Sequence, residues 1–263
     1  MNIAIVFAGG SGVRMGAGVP KQFLEIQGKP VLVHTLQMFE MHHKIDKIYL
    51  AVLEDYIPYV WALAAEFRIS KLAKIVSGGN SALDSIYKAL KCAEAENPGD
   101  SVVLIHDGVR PYVAYDVISA NIKSVKEHGS AITSTPCYET VLLSEDEGST
   151  VSSLPARKEC YTAQAPQSFY LKDIVEAHEI TRANNPDYTN IVDSCTLMKS
   201  VGKPTYLVEG NRGNIKVTTP VDVYFFRALL NYKENEQAFG FGLTDRMRSK
   251  INYYKSNMNG IEE

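Results

Sequence analysis

Cysteine is scarce in this chain and nowhere paired at metal-ligand spacing. Cys92, Cys137, Cys160 and Cys195 stand far apart, which excludes a zinc ribbon and gives no disulfide framework. They read as small buried or half-buried side chains. The six histidines, His42 and His43 adjacent among them, form no His-Glu-x-x-His pair. They read as packing or helix-surface residues rather than a metal site. A strong charge of one sign is missing too. The net charge is −3 over 263 residues, which predicts no bulk attraction to nucleic acid or to an anionic membrane. No apolar run approaches bilayer-spanning length, and the opening Met-Asn-Ile-Ala-Ile-Val-Phe lacks the basic flank of a secretory signal. The expectation is a cytoplasmic protein. Internal repeats and low-complexity segments are absent, while 45% hydrophobic content is enough for a full core in one or two domains.

What is present is concentrated near the start. An apolar run at 3–7 leads directly into Ala8-Gly-Gly-Ser-Gly-Val-Arg-Met-Gly-Ala-Gly-Val-Pro-Lys-Gln22. Glycines at 9, 10, 12, 16 and 18 let the backbone approach a ligand closely, so that successive N–H groups can converge on one anion. Arg14 and Lys21 add cations that a plain turn does not need. The loop reads as a holder of polyphosphate. The Walker pattern fails because the nearby Lys follows Pro20, and the dinucleotide pattern fails because its third glycine position is Met15.

The remaining chain alternates strands and helices. Strands are expected at 3–7, 47–53, 73–76, 102–106 and 131–136. Helices are expected at 31–41, 56–67, 80–95 (capped near Gly79 or Asn80) and 113–127. This order predicts an α/β, Rossmann-like fold, mostly parallel, with helices on both faces of the sheet. Ligands of such sheets bind beyond the carboxyl ends of the strands. The pattern breaks at 137–165, where 141–144 and 150–154 flank the acidic turn Glu145-Asp-Glu-Gly148. That segment reads as a projecting β-hairpin arm, serving either as an ordinary surface hairpin or as a contact with a second subunit. Further helices are expected at 171–183 and 190–201, and extended chain at 205–209 and 214–217. A last helix opens at Thr219-Pro-Val-Asp222. The domain is expected to fill 1–232. Residues 233–263, with Phe239-Gly-Phe-Gly-Leu and the basic Arg246, Arg248 and Lys250, form a C-terminal extension of unassigned role.

Four more stretches carry chemistry. Asp107 and Arg110 follow a buried strand in His106-Asp-Gly-Val-Arg-Pro111. An Asp there either ligates Mg²⁺ or forms the turn. Gly78-Gly-Asn-Ser81 opens a helix whose N-terminus can hold an anion or the edge of a base. Thr140, Arg157 and Lys158 flank the arm. Lys216, in Asn214-Ile-Lys-Val-Thr-Thr-Pro-Val-Asp222, sits in an extended segment where a buried Lys needs an anionic partner.

Taken together, Ala8 to Gln22, the 106–111 turn, Ala165-Pro-Gln-Ser-Phe169 and 214–222 resemble the cytidylyltransferases of the 2-C-methylerythritol 4-phosphate and ribitol 5-phosphate type, from residue 1 to about 232. The resemblance implies a homodimer that transfers CMP from CTP to a polyol phosphate with Mg²⁺ as cofactor. It gives Arg14, Lys21 and Lys216 the reacting phosphates, and Asp107 the metal or a substrate hydroxyl. Ala8, Gly9, Gly10, Gly12, Gly79 and Ser85 would line the nucleotide. Arg110 would bind the polyol phosphate, and Thr140 and Arg157 would complete the neighbouring subunit's polyol-phosphate site. Four positions depart from the family pattern. Ala82 stands for a usual Arg, Ala165 for Thr, Val192 for Thr, and Gly213 for the Asp of the methylerythritol enzymes. The last points towards a ribitol-like acceptor. Two other classes are weighed against this reading. A hydride-transfer enzyme is disfavoured by the missing third glycine and by the lack of an acidic residue near the end of the second strand. A non-catalytic nucleotide-binding protein on the same fold is the other.

Overall fold

The computed structural model describes residues 1–10 and 19–239. In chain order the elements are β1 (Asn2–Ala8), β2 (Glu25–Ile26), β3 (Lys29–Pro30), α1 (Val31–Met41), β4 (Lys47–Val52), α2 (Ile57–Glu66), β5 (Leu72–Ser77), α3 (Ala82–Glu94), β6 (Val102–Asp107) and α4 (Tyr115–His128). They continue with β7 (Ser130–Pro136), β8 (Tyr161–Tyr170), α5 (Leu171–Asn184), α6 (Ser194–Ser200), β9 (Leu207–Glu209) and α7 (Pro220–Phe239). The small β2–β3 ribbon stands apart from a seven-stranded sheet ordered β5-β4-β1-β6-β8-β7-β9. Within that sheet β8 alone runs against its neighbours β6 and β7, and the other pairings are parallel.

The central strands are apolar without interruption because both faces of the sheet are covered. In β1, Ala4 and Val6 pack on one side with Leu32, Leu36 and Phe39 of α1, Val60 of α2 and Ile118 of α4. Ile3 and Ile5 pack on the other with Leu83, Ile86 and Leu90 of α3 and Ile174 of α5. This is the period of two expected of a strand, read out against two different helical layers. The expected α/β architecture with helices on both faces is the one found.

Three expectations are corrected. The arm is not a regular hairpin: between β7 and β8 the only β contact among the described residues is a single bridge, Leu143 to Ser153. Its tip is tied by side chains instead. Asp146 accepts from the Thr150 amide and hydroxyl at 2.8 and 2.7 Å and from the Ser144 hydroxyl at 2.6 Å. Second, β8 was not expected, although it is the longest strand. Third, helix α6 is shorter than expected because Tyr188 and Asn190 hold left-handed φ values of 55° and 64°. The helix begins only after Asp193, whose carboxylate caps Thr196 N at 2.8 Å. Trp61, in α2, is 42% exposed.

The chain divides into two compact units, Met1–Thr218 and Thr219 onward. In the second, Thr219 and Asp222 open α7 as the sequence predicts, Thr219 N donating to Asp222 Oδ2 at 2.7 Å. That helix runs unbroken through residue 232. The glycine-phenylalanine motif from 240 and the basic residues 246–250 lie outside the described residues. Among the described residues no helix is long and apolar enough to cross a membrane. All four cysteines are free and half-buried, as expected.

Candidate active site

At the carboxyl ends of β1 and β6 the chain must turn within van der Waals reach of its neighbours. A Cβ on Gly108 would stand 2.8 Å from the Ala8 Cβ and 3.2 Å from the Phe7 carbonyl, so only glycine fits. The turn carries Asp107 and Arg110 into one small cluster. Arg110 Nε donates to Asp107 Oδ2 at 2.9 Å, and Lys216 Nζ reaches Asp107 Oδ1 at 2.6 Å. Lys216 is delivered by a segment stitched onto this turn: Val217 N donates to Val109 O at 2.8 Å, and Arg110 Nη1 to Asn214 O at 2.8 Å. The segment 214–217, expected as extended chain, forms no strand ladder. Asn214 in turn donates to the Ala165 carbonyl at the start of the Ala-Pro-Gln motif.

Burial pulls the Asp107 carboxyl upward, but the Arg110 and Lys216 charges together outweigh it and hold the group below its ordinary pKa. Asp107 is therefore a carboxylate with each oxygen engaged by a cation. Beside it His106 is fully buried and donates from Nε2 to the Arg110 carbonyl at 3.0 Å. Burial lowers its pKa to about 4, so it stays neutral and serves as packing.

Two cavities meet at this cluster. One, of about 420 Å³, is walled by Gly9, Gly10, Lys21, Gly79, Asn80 and Ser85. The other, of about 180 Å³, is walled by Arg110, Gln164, Gln167, Val192 and Ser194. Asp107 and Lys216 line both. Ala82, Ala165 and Val192, three of the four departures from the family pattern, line the smaller one, and Ala82 lines the larger one as well.

The expected residues thus fall into three groups. Ala8, Gly9, Gly10, Lys21, Gly79, Ser85, Asp107 and Lys216 gather around the larger cavity, and Arg110 faces the smaller. Thr140 and Arg157 are exposed on the arm and line neither; Arg157 Nη1 donates weakly to the Tyr138 carbonyl at 3.4 Å. Gly12 and Arg14 lie outside the described residues. Ser85 does more than line a wall. Its Oγ accepts from Gly79 N and donates to Ser81 O, both at 2.9 Å, which shapes the loop opening α3.

Sequence reasoning missed Gln22. It is buried, and its Nε2 donates to Ala8 O at 2.9 Å and Gly10 O at 3.2 Å, fastening the start of the glycine loop. Its signal was the Pro-Lys-Gln run itself, read only for its lysine. Gln167 is a second. It ties β8 to α6 by donating to Asp193 Oδ2 and accepting from Cys195 N, both at 2.8 Å.

Comparison with known proteins now decides the family. The model of the family described as IspD, 2-C-methyl-D-erythritol 4-phosphate cytidylyltransferase, matches residues 2–232. The chain belongs to this cytidylyltransferase family. Among its relatives, a ribitol-5-phosphate cytidylyltransferase of Streptococcus agalactiae serotype III (strain NEM316) is 46% identical over 241 residues, covering 91% of this chain and all of that protein. One of the same name from Vibrio parahaemolyticus serotype O3:K6 (strain RIMD 2210633) is 44% identical, with 91% of this chain and 100% of that protein covered. A 2-C-methyl-D-erythritol 4-phosphate cytidylyltransferase of Clostridium botulinum (strain 657 / Type Ba4) is 36% identical over 229 residues, 87% of this chain and 97% of that one. A solved 4-diphosphocytidyl-2C-methyl-D-erythritol synthase of Anaerococcus prevotii DSM 20548 superposes with a TM-score of 0.75 at 28% identity, covering 88% of this chain and 96% of that chain. The family is one of nucleotidyltransferases, and the hydride-transfer reading falls away.

Proposed function

We propose that this cytidylyltransferase joins CMP from CTP to ribitol 5-phosphate or a closely similar polyol phosphate, in the cytoplasm. The observation that carries this is the Asp107–Lys216 pair standing in the common wall of two cavities. The larger suits a nucleoside triphosphate, with glycine backbone and Lys21 at its rim. The smaller suits a short polyol chain, with Arg110 beside it. The ribitol-named relative at 46% identity, against 36% for the methylerythritol-named one, favours ribitol as acceptor.

A phosphate oxygen of the acceptor attacks the α-phosphorus of CTP. The new P–O bond forms as the bond to the bridging oxygen breaks, and pyrophosphate leaves with that electron pair. The nucleophile is anionic near neutral pH, so no general base is required. The chain's part is positioning and countercharge. Lys216, oriented by Asp107, meets the charge that develops on the α-phosphate. Lys21, running past Gly10, meets the charge on the leaving phosphates, and Arg14 joins them in this reading.

A Mg²⁺ carried in on the triphosphate would be held by phosphate oxygens and by Asp107, in exchange for one of the two cations that now engage its oxygens. Asp107 is the carboxylate at hand, and no group of three metal-ligating side chains occurs among the described residues. Held there, the ion would supply charge neutralisation for the phosphates.

The arm exposes Leu142, Leu143, Val151 and Leu154. Such apolar residues are better covered by a second copy of the arm, which brings Thr140 and Arg157 to the partner's polyol-phosphate site. The test is an assay of pyrophosphate release from CTP and Mg²⁺ against a panel of polyol phosphates. Turnover highest with ribitol 5-phosphate is expected. A clear preference for methylerythritol phosphate would establish the alternative acceptor, and binding of CTP without turnover on any acceptor would leave a non-catalytic nucleotide-binding protein.

A further inference from the structure

Gly79 and Asn80, in the loop Gly78–Asn80, form one wall of the larger cavity, and the loop is held by side chains of α3. Asn80 N donates to Asp84 Oδ2 at 3.1 Å, and Lys88 Nζ to Gly78 O at 3.0 Å. Ser81, the N-cap, accepts from Asp84 N at 3.1 Å. The fit against Asp84 is so close that a Cβ on Gly79 would fall 2.1 Å from Asp84 Oδ2. Asp84 is thus the post on which the loop is fixed.

That post is itself fixed from another helix. Arg182 of α5 donates from Nη1 to Asp84 Oδ1 at 2.8 Å, and the pair is only partly exposed, 32% and 18% by side chain. The guanidinium is in turn held in place by two rings. Its carbon lies 4.6 Å from the centre of Tyr87 and 5.7 Å from that of Tyr188. Tyr188 is buried and bonded to the buried His178 Nδ1 at 2.7 Å, so it cannot follow the guanidinium if that moves. An exposed ion pair on a helix surface has no such cage and contributes little. This one is stacked, hydrogen-bonded and aimed at the carboxylate that shapes a ligand-facing loop.

We propose that Arg182 is a positioning residue for nucleotide binding: by fixing Asp84 it holds the Gly78–Asn80 loop in the shape that receives CTP. The inference rests on the assignment of the larger cavity to CTP. Arg182 itself lines neither cavity, so it acts on the loop through Asp84.

The test is calorimetric titration of the full chain with CTP and Mg²⁺, paired with steady-state kinetics. Arg182→Met is expected to weaken CTP binding by about tenfold, the scale of one charge-assisted hydrogen bond. The KM for CTP should rise with it, while the KM for the polyol phosphate and kcat at saturation stay near wild type. Arg182→Lys, which keeps the charge, should recover part of the loss. Asp84→Asn should weaken CTP binding similarly, and the double variant should be little worse than either single one. If Arg182→Met does not fold, Tyr87→Leu removes one side of the cage, leaves the ion pair, and should give a smaller shift in the same direction. Unchanged CTP affinity in these variants, or a rise in both KM values together, overturns the positioning role. Wild-type protein that binds no CTP overturns the cavity assignment, and the role of Arg182 with it.

Discussion

Lys216 Nζ stands 2.6 Å from Asp107 Oδ1, and the two residues come from segments 109 positions apart that are joined by the Val217–Val109 backbone bond. The pair is asymmetric. Asp107 is almost wholly buried, whereas the Lys216 side chain is 42% exposed and free at its far side to face a phosphate. A cation held from behind by a buried anion loses little freedom when a second anion arrives in front.

Lys216→Ala is therefore expected to lower turnover by roughly 10²–10³, the cost of losing one charge-stabilising donor. Arg110 still neutralises Asp107, so the fold should survive. Pyrophosphate release alongside a thermal melt checks both statements, and near-normal turnover would remove Lys216 from the chemistry. Lys21→Ala is expected to fall in the same range.

Asp107→Asn should reduce turnover by at least about tenfold, because Lys216 loses the anion that orients it. The same assay in excess chelator should give no product, and added Mg²⁺ should restore it. Full activity in chelator would show that the phosphates need no divalent ion here.

Acid should destabilise the fold well before the carboxylates titrate. His106 and His178 are buried with pKa values lowered to about 4 and about 3 by burial, against 6.5 for the unfolded chain. Across that window the unfolded chain binds protons that the folded chain refuses, so stability is full above about pH 6.5 and falls as pH drops. Once pH has fallen through the folded values, His106 removes about 3 kcal/mol and His178 about 5 kcal/mol. Chemical denaturation at pH 7.5 and pH 5 measures this, and equal midpoints would contradict it.

Gly108→Ala should destabilise the protein by about 1–3 kcal/mol, the scale of forced overpacking. The added methyl would meet the Ala8 Cβ at 2.8 Å and the Leu32 side chain at 3.1 Å. Activity should suffer too, since Asp107 and Arg110 flank the displaced residue. A melting temperature equal to wild type would show that the turn has slack.

The arm is tested by mixing two inactive proteins. Lys216→Ala and Arg157→Ala subunits, unfolded together and refolded, should regain part of the wild-type activity if Arg157 serves the partner's site. Each mixed dimer would then hold one intact site. Activity no higher than that of the separate variants, with mixed dimers demonstrated, would place Arg157 outside the partner's site.

The sheet and the cleft were legible to different depths. Strand β1 announced itself because both of its faces are buried, which leaves an unbroken apolar run. Strand β8 did not. Its first residues, Tyr161 to Ala163, are exposed, and Pro166 sits in its middle, where a strand assignment is normally refused. Lys216 could be singled out as a cation needing a partner, but the partner's identity came only with the fold. The Arg182–Asp84 pair spans 98 positions and has no local pattern at all. Asp84 lies in the first turn of α3 and Arg182 in the last turn of α5, common places for an acid and a base, so neither stands out in the sequence. Gln22 was in view and passed over, since an amide that fastens backbone looks the same in sequence as one that faces water.

The wall shared by the two cavities has a kinetic corollary. A CDP-polyol on the proposed assignment carries the nucleotide in one compartment and the sugar alcohol in the other, with its pyrophosphate link beside Asp107 and Lys216. One molecule then evicts both reactants simultaneously. Added product should behave as a bisubstrate-type inhibitor, relieved by raising either CTP or the polyol phosphate. Accumulation of the activated alcohol would throttle its own synthesis without any separate regulatory site.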